Sequence, residues 1–132
     1  MEPYRCTVTA DPARNVIFMT QEGHAERADM LGLRDAYRAA LAQVRPGFVL
    51  VNDQSAIRSF SDDALEVGTE LVSLTTTHGA SKVIRVVPQS LSQRARISRV
   101  LASGNLRYEN VRVSTRAEAD ALLAGMDSAG AA

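Results

Sequence analysis

The chain has 132 residues, 45% of them apolar, which suffices for one domain whose core closes without disulfides or metals. Lys+Arg and Asp+Glu both number 15, a neutral balance that excludes a strongly basic nucleic-acid binder and an acidic tail. Cys6 is the single cysteine, so no internal disulfide and no Cys-based zinc cluster is available.

No apolar run approaches the ~18 residues of a membrane span, and Met1-Glu2-Pro3-Tyr4-Arg5 lacks the apolar stretch of a signal peptide. The expectation is a cytoplasmic, single-domain protein without a transmembrane segment.

Tyr4 to Thr9 alternates, with Tyr4, Cys6 and Val8 against Arg5, Thr7 and Thr9, and reads as a strand. Asp11-Pro12-Ala13-Arg14-Asn15 is a turn, and Asn15 to Gln21 returns as the second arm of a hairpin. A helix starting between Gly23 and Arg27 carries Met30, Leu33, Tyr37, Ala40, Leu41 and Val44 on one stripe, and Pro46-Gly47 stops it. Phe48-Val49-Leu50-Val51 is apolar without alternation, as in a central strand covered on both faces.

Asn52 to Phe60 reads as a loop, leading to Ser61 as N-cap and to Asp62 and Asp63 in the first turn of a second helix. Ala64, Val67, Leu71 and Leu74 form that helix's buried stripe, and His78-Gly79 ends it. Lys82 to Val87 is the fourth strand. Ser90 and Gln93 resemble a capping box opening a third helix to about Ser103, closed by Gly104. Asn110 to Val113 is a short edge strand, and Thr115 with Glu118 opens a last helix through about Ala124. Residues 125–132 read as a flexible C-terminal tail behind a single domain over 1–124. The fold class is therefore α/β, in the order β-β-α-β-α-β-α-β-α. It implies a mostly parallel five-stranded sheet with an antiparallel first strand and four covering helices.

Catalytic signatures are missing: neither a dinucleotide-binding nor a phosphate-binding glycine loop is present. His24 and His78 belong to no ligand-spaced pair, so His24 reads as a loop residue and His78 as a helix-terminal cation. Cys6 reads as a small buried hydrophobe. No metal site, no cofactor and no enzymatic activity are expected. The segment Asn52 to Leu65 is the informative one, because ligands and partners dock at the C-terminal ends of parallel strands and at the helix N-termini that follow. Capping by Ser61, dipole complementation by Asp62 and Asp63, and a turn capped by Asp53 would by themselves account for its polar residues.

Strand order and this segment resemble the STAS domain (sulfate transporter and anti-sigma factor antagonist), in its compact antagonist-like and STAS/SEC14-type branches. Asp53 matches the family's strand-end Asp, Ser55 its small polar residue, Ile57 and Phe60 its apolar anchors, and Leu65 the Leu of its acidic-Ser-Ser-Gly-Leu motif. Gly104 and Glu118-Ala119 fit as well. The likeness spans residues 4 to 124. It implies a non-enzymatic regulatory domain that binds a protein partner, an anti-sigma factor or a kinase-like regulator. The implied contact residues are Asp53, Ser55, Ile57, Ser59, Phe60, Ser61, Asp62, Asp63 and Glu66, with Ile57 and Phe60 as an apolar centre where exposed. The phosphorylatable serine of the family falls on Asp62 or Asp63, and the following Gly is Ala64, so the switch hydroxyl is absent. Ser59 and Ser61 are the neighbouring candidates for phosphorylation. The SEC14-type branch implies the alternative, a carrier of a small apolar ligand or lipid.

Charge is unevenly spread. Asp53, Asp62, Asp63, Glu66 and Glu70 lie together against Arg58 alone, whereas Arg85, Arg94, Arg96, Arg99, Arg107, Arg112 and Arg116 lie together against Glu109 alone. Such a field steers a complementary partner or a second copy of the chain, with a homodimer as one outcome. Arg94, Arg96 and Arg99 form a candidate basic contact surface. With only Tyr108 nearby, stacking on nucleic acid is disfavoured.

Overall fold

The computed structural model describes residues 2–102, 104 and 106–131. Asp11 and Pro12 set the first turn, where Asp11 Oδ1 accepts the Arg14 N–H (3.2 Å) and Asn15 adopts a left-handed φ of 58°. This closes a hairpin of β1 (Arg5–Asp11) and β2 (Val16–Ala25). β3 (Val49–Phe60), β4 (Lys82–Val86) and β5 (Glu109–Val113) then add in sequence, each parallel to its predecessor, giving the sheet order β1-β2-β3-β4-β5. The expected α/β architecture, with an antiparallel first strand and a short edge strand β5, is the observed one.

Parallel strands that add in one direction place right-handed crossover helices on one face of the sheet. α1 (Arg27–Leu41), α2 (Asp62–Thr77) and α3 (Leu91–Ala102) pack side by side in that layer, and α4 (Arg116–Ala131) covers β3 to β5. Two apolar clusters result. The larger joins Ile17, Met19, Leu50 and Val83 to Leu33, Tyr37, Val67 and Ile97 of the three-helix layer. The smaller joins Val49, Val51, Ile84 and Val86 to Ala119 and Leu123 of α4. β3 is thus dry on both faces at Val49–Val51, as its unbroken apolar run requires.

Three expectations are corrected. Asn52 to Phe60 is not a loop: β3 runs on to Phe60 beside a β2 that itself runs on to Ala25. The polar residues that suggested a loop are satisfied across the sheet, where Gln21 Nε2 donates to Asn52 Oδ1 (3.0 Å) and Arg85 Nη1 donates to Gln54 Oε1 (2.8 Å). The second correction follows from the first, since His24 lies in a strand rather than a loop. Third, the last helix does not stop near Ala124 but continues to Ala131, where Arg14 pairs with Asp127 (2.5 Å). Ser103, the expected end of α3, and Ala132 at the tail's end lie outside the described residues. Cys6 is half-buried against the larger cluster, because β1 is an edge strand that α1 covers only in part.

Candidate functional site

β3 carries two more residues than β2 over their shared length, with register shifts at Thr20/Glu22 and Gly23/His24. Such bulges re-aim side chains at a strand's end, and here they arrange the segment from Asp53 to Ser61. Asp53 is 8% exposed. Its Oδ1 accepts from the Ser55 N–H (3.0 Å) and Ser55 Oγ (2.6 Å), and its Oδ2 lies 3.7 Å from Arg116 Nη1. Ile57 and Phe60 are 3% and 4% exposed and belong to the larger core cluster. An exposed apolar centre built on them is therefore excluded here: the bulges turn both inward.

Ser59 Oγ stands 2.5 Å from His24 Nδ1, and His24 Nε2 stands 2.7 Å from Glu26 Oε1. Carboxylate, imidazole and hydroxyl in series are the arrangement that activates a hydroxyl by proton transfer. The series links the end of β2 and the α1 cap residue Glu26 to β3 and engages the Ser59 hydroxyl. Sequence reasoning missed it because His24 and Ser59 meet only through the parallel register, in a stretch read as loop on both sides.

Ser61 is the N-cap of α2: its Oγ accepts the Ala64 N–H (3.3 Å) and donates to Asp63 Oδ1 (2.6 Å). Asp62 is fully exposed, yet its Oδ1 lies 2.7 Å from Arg96 Nη2 of α3, and Arg96 Nη1 also donates to Phe60 O (2.5 Å). The acidic face of α2 is paired along its length, Glu66 with Arg27 (3.5 Å) and Glu70 with Arg34 (2.8 Å) of α1. The Arg34 hydrogen bond holds the Glu70 carboxyl below its usual range. The two charge blocks of the sequence meet directly at Asp62–Arg96 and Asp53–Arg116, while arginines of α1 from outside the basic block take Glu66 and Glu70. Of the candidate basic surface, Arg96 is committed to this bridge and Arg94 Nε donates to Pro88 O (2.5 Å), while Arg99 is exposed. A shallow groove of about 320 Å³ runs between α2 and α3, lined by Asp62, Glu66, Arg96 and Arg99 among others.

Behind this surface lies an internal cavity of about 60 Å³ between the sheet and α2/α3. On the sheet side Gln21, Asn52, Gln54 and Arg85 stand among apolar residues such as Met19, Leu50 and Val83; the helix side is mostly apolar, with Leu65, Leu71, Ile97 and Leu101. Nothing in the sequence marks Arg85 as interior except its place in an otherwise apolar strand. Among the described residues, no group of three His, Cys, Asp or Glu side chains is placed to hold a metal ion, and no helix is long and apolar enough to cross a membrane.

A five-stranded sheet with one antiparallel edge, three helices on one face and one on the other is the SpoIIAA-like fold, the fold of the STAS domain and of anti-sigma factor antagonists. A solved structure of an uncharacterized protein of the DUF3478 family with a SpoIIAA-like fold, from Shewanella loihica, is similar to it with a TM-score of 0.68. The two share 15% identity over 93% of this chain and 97% of that one. No family model matches the sequence, and no curated protein matches it.

Proposed function

We propose that the protein is a non-enzymatic regulatory interaction domain of the antagonist type. It docks a protein partner at the end of β3 and the N-terminus of α2, through Ser55, Ser59, Ser61, Asp62, Asp63 and Glu66. What supports this reading is the pair Asp62 and Asp63, exposed in the first turn of a capped helix, at the position to which the resemblance to STAS domains assigns the switch serine. The Asp62–Arg96 pair does not oppose it, because an exposed ion pair is weak and a partner's cation can replace it. The hydroxyls at Ser59 and Ser61 are held by His24 and by the helix cap, which supports a surface without a phosphorylation switch.

Affinity capture from a lysate of the source organism, wild type against D62R/D63R, tests the docking surface. Retained proteins should be depleted at least tenfold by the variant at unchanged circular dichroism; equal retention overturns the reading. Intact mass after incubation in the same lysate should show no stoichiometric phosphoserine.

The internal cavity favours a second reading, a carrier of a small apolar ligand. Co-purified ligand in native mass spectrometry supports the carrier; its absence together with D62R/D63R-sensitive capture supports docking.

A further inference from the structure

Arg85 is 6% exposed and faces the three-helix layer from near the C-terminal end of β4, the strand beside edge strand β5. Its Nη1 donates to the neutral Gln54 Oε1, its Nε is buried without any acceptor, and no carboxylate pairs with it among the described residues. A buried guanidinium held by one neutral amide is under-compensated. Burial accordingly lowers its proton affinity, and the nearby Tyr37 and Tyr108 hydroxyls offset this only in part.

Two cavities meet at this side chain. One is the internal space of about 60 Å³, several times the minimum needed for a single water (about 10–15 Å³). The other is an outer groove of about 380 Å³ at the C-terminal ends of β4 and β5, where open α/β sheets take ligands. The outer groove carries Arg85, Arg94 and Arg112, and no acidic residue among the described residues that line it. Ile97 and Leu101 line both spaces. The junction thus offers a desolvated cation between apolar helix side chains.

We propose that Arg85 is the anion-binding residue of a site for an aliphatic carboxylic acid. Its carboxylate takes the unpartnered Nε–H, and its chain lies against Ile97 and Leu101 of α3. Carboxylate is favoured over phosphate because a single buried cation, beside the neutral amides of Asn52 and Gln54, balances one charge and not two. The inference deepens the carrier reading by naming its ligand class, and it is independent of the docking surface on α2.

The test is titration calorimetry of the full chain with sodium octanoate, 1-octanol and inorganic phosphate, repeated with Arg85→Met. Octanoate should bind at least tenfold more tightly than octanol, and Arg85→Met should reduce the acid to the affinity of the alcohol. Equal affinity of acid and alcohol for the wild type overturns the Arg85 site while leaving an apolar carrier standing. Binding of neither overturns both. Inorganic phosphate that displaces octanoate at equal concentration also overturns the proposal, since it places the ligand in the outer basic groove alone. Should Arg85→Met not fold, the comparison of acid with alcohol on the unaltered protein still decides.

Discussion

Ser61 serves two neighbours at once, taking the Ala64 N–H and giving its own proton to Asp63. Ser61→Ala removes both contacts and should lower stability by about 1 kcal/mol in urea denaturation; an unchanged midpoint would show that the cap is idle. Gly23 is constrained from outside its own element. Its φ is +83°, and a Cβ there would lie 2.1 Å from Pro3 O, where the N-terminal segment crosses β2. Gly23→Ala should therefore cost about 2–4 kcal/mol, combining a left-handed backbone with a backbone clash, as thermal melting would show. The contrast between these residues explains what a sequence discloses. The Ser61 cap is legible because it acts within three residues, whereas nothing near Gly23 announces that Pro3 passes over it. The polar character of Asp53 reads as a strand end, but β3 continues past it to Phe60, and its Arg116 partner arrives from α4.

Among the elements, β3 departs most from its sequence reading. Its first half is apolar and unmistakable; its second half, Asn52 to Phe60, is polar and resembles a loop because strand propensity judges each residue without its cross-strand partner. Gln21 and Arg85 supply those partners from β2 and β4. α4 was cut short for a related reason: small residues beyond Ala124 carry little apolar signal, yet Met126 packs on the smaller cluster and Asp127 reaches Arg14 of the hairpin. A chain ending at Ala124 loses a partly buried methionine and a half-exposed ion pair, and should be about 1–2 kcal/mol less stable. Equal urea midpoints for the two chains would show that the last turns of α4 contribute nothing.

At the scale of the whole molecule, four buried or half-buried weak acids among the described residues face the larger cluster or its rim. Tyr4, Tyr37 and Tyr108 are all held above the ordinary tyrosine value of 10.0, chiefly by burial. Cys6 is held above 9.0, again chiefly by burial, beside Tyr4. Each keeps its proton longer when folded than when unfolded, so its contribution is fully present below the unfolded value and is lost as pH rises through the folded one. The melting temperature should hold from pH 7 to about 9, begin to fall as the unfolded thiol ionises, and fall more steeply above about 10 as the tyrosines follow. Asp29 adds negative charge near Tyr4 and Cys6 and acts in the same sense, while Arg85 near Tyr37 and Tyr108 acts against it. Tyr4→Phe removes one acid along with its hydrogen bond to Gln21 Oε1 (2.9 Å), so it should lower stability at pH 7 and flatten the decline above pH 10. Melting curves of both proteins by circular dichroism between pH 7 and 11 separate the two effects, and parallel declines would show that Tyr4 ionises freely in the folded chain.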